Sequence, residues 1–443
     1  MNKKVFAILS LLIFASMILV ACAPAATEAP AEEPPAEEPP AEEPPAEEAF
    51  ECDDAIGCVE LAPDDPVHIA SMLTISGATS FLGEDSVGAI EIAIDDRGGT
   101  LLGRDIQYTS EDSLCSAEGG QTAATKVASD PTILGVIGTN CSAAMTAAMD
   151  TISSAGLSIL SPSNTAPTLT LDDPAAGGTF KPGYFRICHT DFFQGAVAGE
   201  FAYNELGART LATIHDGSPY ADQLQEVMAN RFMELGGEVT FQGAVNVGDT
   251  DMRAVLTSVA ADSPDALYFP IFEPEGPFIV AQSSEIAGLE NTILIGADGL
   301  LVDSFPENSG PNAVGMYLTG PFVTGAAYDE FLAKWDAKFG GVPPSGFHAF
   351  AYDGTNILFD AIEAVAVTDA DGTTYVGRQA LRDAIKATAD YDGVSGKVDC
   401  SDKQFGEFTS KGDCATGEAL GVFEITEAEV DDGNWPPEVI YTP

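Results

Sequence analysis

Three loops carry hydroxyls, amides and a carboxylate in positions suited to a small charged molecule. Gly138-Thr139-Asn140-Cys141-Ser142 runs directly into a helical pattern. Its unsatisfied N–H groups and positive dipole end therefore favour an anion at Ser142. A second loop, Ser161-Pro162-Ser163-Asn164-Thr165-Ala166-Pro167, adds hydroxyl and amide donors. Together Ser142, Ser163, Asn164 and Thr165 can hold a carboxylate without arginine, which is scarce in a chain with 18 Lys and Arg against 69 Asp and Glu. Asp298, in Ala297-Asp298-Gly299, offers a counter-charge for an ammonium, and Phe81, Tyr220 and Phe272 stand in comparable loops as aromatic walls. Glu275 and His348 are within reach of the same region. Each feature also has a plainer role: Ser142 as an N-cap, Ser163 and Thr165 as shapers of a proline turn, Asp298-Gly299 as a turn, Phe272 as core.

Covalent and metal chemistry find little support. The chain has no G-x-S-x-G, H-E-x-x-H, Walker A or G-x-G-x-x-G motif. Asp369-Ala370-Asp371-Gly372 opens like a calcium loop but lacks the later ligands, so it reads as a surface turn between helices. No C-x-x-C occurs, and His68, His189, His215 and His348 show no ligand spacing. No metal or cofactor is expected. An exported hydrolase using His215-Asp216 with a serine remains a rival, separable by a turnover assay.

The loops must be positioned by a sheet. Short apolar runs alternate with segments of helical period, the signature of βαβ units. Expected strands are 67–73, 105–110, 133–137, 157–160, 210–214, 239–243, 266–271, 292–295 and 316–318. Helices are expected near 84–96, 116–129, 142–154, 192–206, 220–236, 250–261, 276–287, 326–339, 349–366 and 377–389. The regularity restarts near Phe192, so two similar α/β units are expected. In doubly wound sheets ligands bind outside the carboxyl ends of the strands, where all the loops above fall.

The first residues bear on location. Lys3 and Lys4 precede an apolar run from Val5 to Val20. That run is shorter than the roughly 20 residues a membrane span needs, so 1–21 reads as a signal peptide. Leu19-Val20-Ala21-Cys22 resembles the lipobox of bacterial lipoproteins, which implies a lipidated Cys22. Residues 23–49 are almost entirely Ala, Pro and Glu, a composition that cannot build a core; 22–65 is expected to be a lipidated, disordered tether. Net charge is −51, which argues against nucleic acid or an anionic membrane surface as partner. Of the eight cysteines, spacing proposes Cys52–Cys58 and Cys400–Cys414; Cys115 and Cys141 would then pair and Cys188 stay free.

The ordered set of loops resembles the branched-chain amino-acid (Leu/Ile/Val) binding proteins, of the type I periplasmic-binding fold. The likeness spans Val67 to about Phe423. It implies two doubly wound parallel-sheet lobes joined by three crossovers, near Ile187, Pro321 and Val394. Lobe one would be 66–187 plus 322–393, and lobe two 188–321 plus 394–443. It further implies carboxylate binding by Ser142 and Thr165, an ammonium at Asp298, an aromatic wall at Tyr220 and a disulfide at Cys115–Cys141. Phe272 stands where a tyrosine is common, which removes a hydroxyl. The implied role is non-enzymatic: an extracytoplasmic lipoprotein, anchored to a bacterial cell membrane, capturing a small amino acid as a monomer. The implied partners are the permease and ATPase subunits of an ABC importer. Short amides, urea and other organic acids are alternative ligands, and a sensing receptor module is an alternative role.

Overall fold

A computed structural model describes residues 51–417 and 419–443. The expected leader, Cys22 and the repetitive part of the tether lie outside the described residues.

Two sheets organise the chain. In the first, five parallel strands lie in the order Arg104–Asp112, Val67–Leu73, Ile133–Gly138, Ile159–Ser161, Tyr184–Arg186, with Thr100–Leu101 antiparallel at the edge. In the second the parallel order is Glu238–Ala244, Thr210–His215, Ala266–Tyr268, Ile293–Gly296, Tyr317–Pro321. Leu420–Glu424 and Glu438–Tyr441 then continue it antiparallel. Numbered along the chain within each sheet, both parallel sets run 2-1-3-4-5. This confirms the expected restart of the pattern: one doubly wound arrangement is used twice, and each has its switch point between strands one and three.

Burial explains why these runs become strands. Val67–Leu73 and Ile133–Gly138 are buried at every position because helices cover both faces. Each fully buried Val, Leu or Ile contributes about 1.5–3 kcal/mol. Helix Phe81–Asp96 packs against His348–Val365, and Ala117–Ser129 against Ser142–Ser154. Ser116 caps Ala117–Ser129, accepting from Gly119 N–H at 3.1 Å. Helix Phe81–Asp96 approaches the end of the first strand so closely that a Cβ on Gly83 would sit 1.8 Å from the Thr74 carbonyl oxygen. Only glycine permits that contact.

Several expectations are corrected. The ordered part begins earlier than the 22–65 tether allowed. Cys58–Leu61 is a strand antiparallel to Thr374–Gly377, with Val59 and Leu61 buried and Cys52–Cys58 closing the turn before it. Asp369–Gly372 is a surface turn between helices His348–Val365 and Arg378–Lys386, as expected, and closes the hairpin Val367–Thr368/Thr374–Gly377. Strands Tyr184–Arg186, Leu420–Glu424 and Glu438–Tyr441 were not anticipated; all three are short, and the first ends in a charged residue whose partner is remote. The stretch around Cys400–Cys414, expected with lobe two, instead bridges to the first sheet's side through Leu171–Ser410 and Arg186–Asp413. All three expected disulfides are present, and Cys188 is free and buried.

Candidate functional site

The two switch points face one narrow cleft of about 10 Å³, room for a single water-sized sphere. The first sheet contributes Leu82, Asn140, Cys141, Ser142 and Ser163; the second contributes Tyr220, Phe272, Asp298 and Gly299; Phe347 closes it. Its volume is far below the roughly 300–1,000 Å³ usual for ligand sites, because the two sides stand in close contact here.

On the first-sheet side, Ser142 is the first residue of helix Ser142–Ser154, and Cys141, the N-cap, makes no side-chain cap bond. The helix's first N–H groups are therefore left to other acceptors. Ser142 Oγ accepts from Ala166 N–H at 3.3 Å, which leaves its own O–H free to donate. Ser163 Oγ is committed to Asn140, donating to its carbonyl at 3.1 Å and accepting from Nδ2 at 3.2 Å. Asn164 Oδ1 accepts from the Thr139 hydroxyl at 3.2 Å, while Asn164 Nδ2 and Thr165 Oγ1 are buried without partners. Buried polar atoms are rarely left so.

Asn140, quoted above only as part of its loop, ties the first-sheet loops together. Its Oδ1 accepts from Thr74 N–H at 2.9 Å, and its Nδ2 donates to Leu82 O, Ser86 Oγ and Ser163 Oγ. Beneath the 163–166 loop lies Arg186, fully buried. It donates to the carbonyls of Asn164, Thr165 and Ala166 at 3.4, 3.0 and 2.9 Å and pairs with buried Asp413 at 2.8 Å. The loop is thereby held from below by a cation that never reaches the cavity.

On the second-sheet side, Asp298 Oδ1 accepts from Gln194 Nε2 at 2.6 Å and from the Tyr220 hydroxyl at 2.8 Å. Burial raises the Asp298 pKa to about 6, partly offset by those two hydrogen bonds. Tyr220 OH also accepts from Gly299 N–H at 3.1 Å, and its ring stands 5.1 Å from Phe272. A Cβ on residue 299 would meet Ile271 O at 2.7 Å, so glycine lets the turn close onto the neighbouring strand end. Gln194 is oriented in turn by His189 Nε2–H, 2.7 Å from its Oε1; burial lowers the His189 pKa to about 4, so the ring is neutral at pH 7. Asp191, fully buried nearby, has its pKa raised well above the usual range by burial and by Asp298.

The structure thus brings Ser142, Ser163, Tyr220, Phe272 and Asp298 onto one cavity. Asn164 and Thr165 lie behind its wall. Phe81 turns into the core, and its neighbour Leu82 takes the place at the cavity. Glu275 is turned away, accepting from Gly248 N–H, and His348 lines a different pocket. Gln194, Asn140, Arg186 and Asp413 were missed, because the partners that give them meaning are distant in sequence.

Residues 66–412 match the family described as periplasmic binding protein. This chain belongs to that family. The periplasmic binding proteins bind solutes rather than transform them, and this chain is a binding protein, not an enzyme. An amino acid binding protein of Pseudomonas aeruginosa is 27% identical over 302 residues, covering 66% of this chain and 77% of that one. A leucine-binding protein of Thermotoga maritima superposes with a TM-score of 0.72 at 24% identity, covering 85% of this chain and 99% of that chain. A solute-binding protein of R. palustris in complex with benzoate superposes at 0.68 with 18% identity, covering 85% and 97%. The type I periplasmic-binding fold expected from the loops is the fold observed. Among the described residues no group of three or more His, Cys, Asp or Glu could hold a metal ion, and no helix is long and apolar enough to cross a membrane.

Proposed function

We infer that this periplasmic binding protein captures a small amino acid, a branched-chain one first, between its two sheets. It would hand that ligand to the permease and ATPase of an ABC importer, acting as a monomer tethered to a bacterial membrane through Cys22. The observation that carries this reading is the opposition of charge preferences across one cavity. A helix N-terminus with the Ser142 hydroxyl suits a carboxylate; Asp298, fixed by Gln194 and Tyr220, suits an ammonium. Tyr220, Phe272, Phe347 and Leu82 supply an apolar wall for an aliphatic side chain. Asn164 and Thr165 then act from behind the wall, with Phe81 as packing. The lobes 66–187 plus 322–393 and 188–321 plus 394–443 form the clamp, with the Cys400–Cys414 stretch docked on the first.

The raised pKa of Asp298 favours one further reading. Below about pH 6 the carboxyl of Asp298 is mostly protonated and donates a hydrogen bond, which would suit an organic acid or amide lacking an ammonium. The relatives' printed ligands, amino acids in one case and benzoate in another, support keeping both. A thermal-shift screen of leucine, isoleucine, valine, benzoate, acetamide and urea decides. A ligand at about 100 times its Kd stabilises by about 2.7 kcal/mol. Stabilisation by leucine, isoleucine or valine that is lost in Asp298→Asn supports the first reading; stabilisation by benzoate or acetamide alone supports the second.

A further inference from the structure

A second, larger cavity, of about 150 Å³, lies beside the first. Its walls include Phe322, Tyr328, Val342, Ser345, His348 and Trp435. No Lys, Arg, Asp or Glu lines it, in a chain that carries 69 acidic residues.

The two cavities share a partition. Phe347 lines the smaller one, while Ser345, Gly346 and His348 line the larger. On the opposite side Asp298 and Gly299 line the smaller, and Leu301, at the end of the same turn, lines the larger. The Ser345–His348 segment is held by Asp85, whose carboxylate accepts from Ser345 N–H, Phe347 N–H and His348 Nδ1–H at 3.3, 3.0 and 2.9 Å. His348 Nε2 is thereby left to accept from the Tyr328 hydroxyl at 2.8 Å. The polar end of the cavity is completed by Ser345 Oγ, buried and without a partner.

We propose that this cavity is a second binding site, for a small uncharged molecule with an aromatic or aliphatic body and one hydrogen-bonding group. The apolar walls and absence of charge select the body. Ser345 and the Tyr328–His348 pair select the single polar group, since an unmet buried hydroxyl gains most from a partner. Because the partition belongs to both cavities, occupancy of one alters affinity at the other, by the same factor in either direction.

Benzyl alcohol is the probe, followed by saturation-transfer NMR on the whole protein. It should bind, and Val342→Phe, which narrows the mouth at an exposed position, should weaken it at least tenfold. Ser345→Ala should weaken it severalfold while leaving the melting temperature unchanged or higher, the reverse of a merely structural hydroxyl. Absence of saturation transfer, equal affinity in both variants, or loss of the signal in Phe272→Ala, which would place the probe in the smaller cavity, overturns the proposal. Saturating leucine should shift probe affinity at least threefold, and an unchanged value refutes the coupling. A chain that binds benzyl alcohol but not leucine refutes the amino-acid reading and leaves this site standing.

Discussion

The proposed pairing of Asp298 with a ligand ammonium predicts capture that depends on pH, with a size set by the surroundings of that carboxyl. Its pKa in the fold is about 6 against an ordinary 3.8. The folded protein therefore holds that proton more tightly than the unfolded chain. The associated stability is fully present below about pH 4 and lost as pH rises through 6, on the order of 3 kcal/mol in all. An ammonium needs the ionised form. With a pKa near 6, roughly nine-tenths of the carboxyl is ionised at pH 7 and roughly one-tenth at pH 5. Affinity for leucine should then fall about tenfold between those values, as the protons released per ligand bound rise from about 0.1 at pH 7 to about 0.9 at pH 5. Titration calorimetry at pH 7, 6 and 5 measures it. Asp298→Asn should abolish the slope and cost roughly 2–5 kcal/mol of binding. It should also make the free protein more stable at pH 8, where the wild type holds a buried charge. The groups facing Asp298 are Gln194, Tyr220, Tyr268 and Asp191; Asp191→Asn is the control, and the slope should survive it. Equal leucine affinity at pH 5 and pH 7 would refute the assignment of Asp298 to the ammonium.

Asp413→Ala should cost about 3–5 kcal/mol of stability by stranding buried Arg186, read as a lowered melting temperature with weakened leucine binding. Tyr220→Phe leaves Gly299 N–H and Asp298 each one partner short; a loss of about 1–3 kcal/mol in ligand binding is expected by calorimetry. Replacing both Cys115 and Cys141 with serine removes a loop closed across 26 positions, worth about 3–4 kcal/mol in urea titration. Solution scattering should show a smaller radius of gyration with saturating ligand, as the lobes close by hinge bending.

The βαβ repetition was legible because parallel strands covered on both faces are near-continuous apolar runs, as in Val67–Leu73 and Ile133–Gly138. The loops at their carboxyl ends followed from that pattern, and with them Ser142, Ser163, Tyr220, Phe272 and Asp298. What could not be read were residues defined by remote partners. Gln194 reaches Asp298 across 104 positions, Asn140 reaches Thr74 across 66, and Arg186 reaches Asp413 across 227. Choosing Phe81 over Leu82 was a one-residue rotation at a helix start, where no periodicity yet fixes the facing side. The tether was drawn too long because Cys58–Leu61 is only four residues, and its pairing strand lies more than 300 positions later.

The Arg186–Asp413 pair also sets an order of assembly. The 163–166 loop is written early in the chain, but the carboxylate that neutralises the cation beneath it comes almost last. A chain lacking the residues around 413 would leave Arg186 a charge without its counter-ion, and the loop it supports would have no reason to settle. Such a chain could form much of its first sheet and still lack a finished cleft, so completeness of the polypeptide is checked at the site itself.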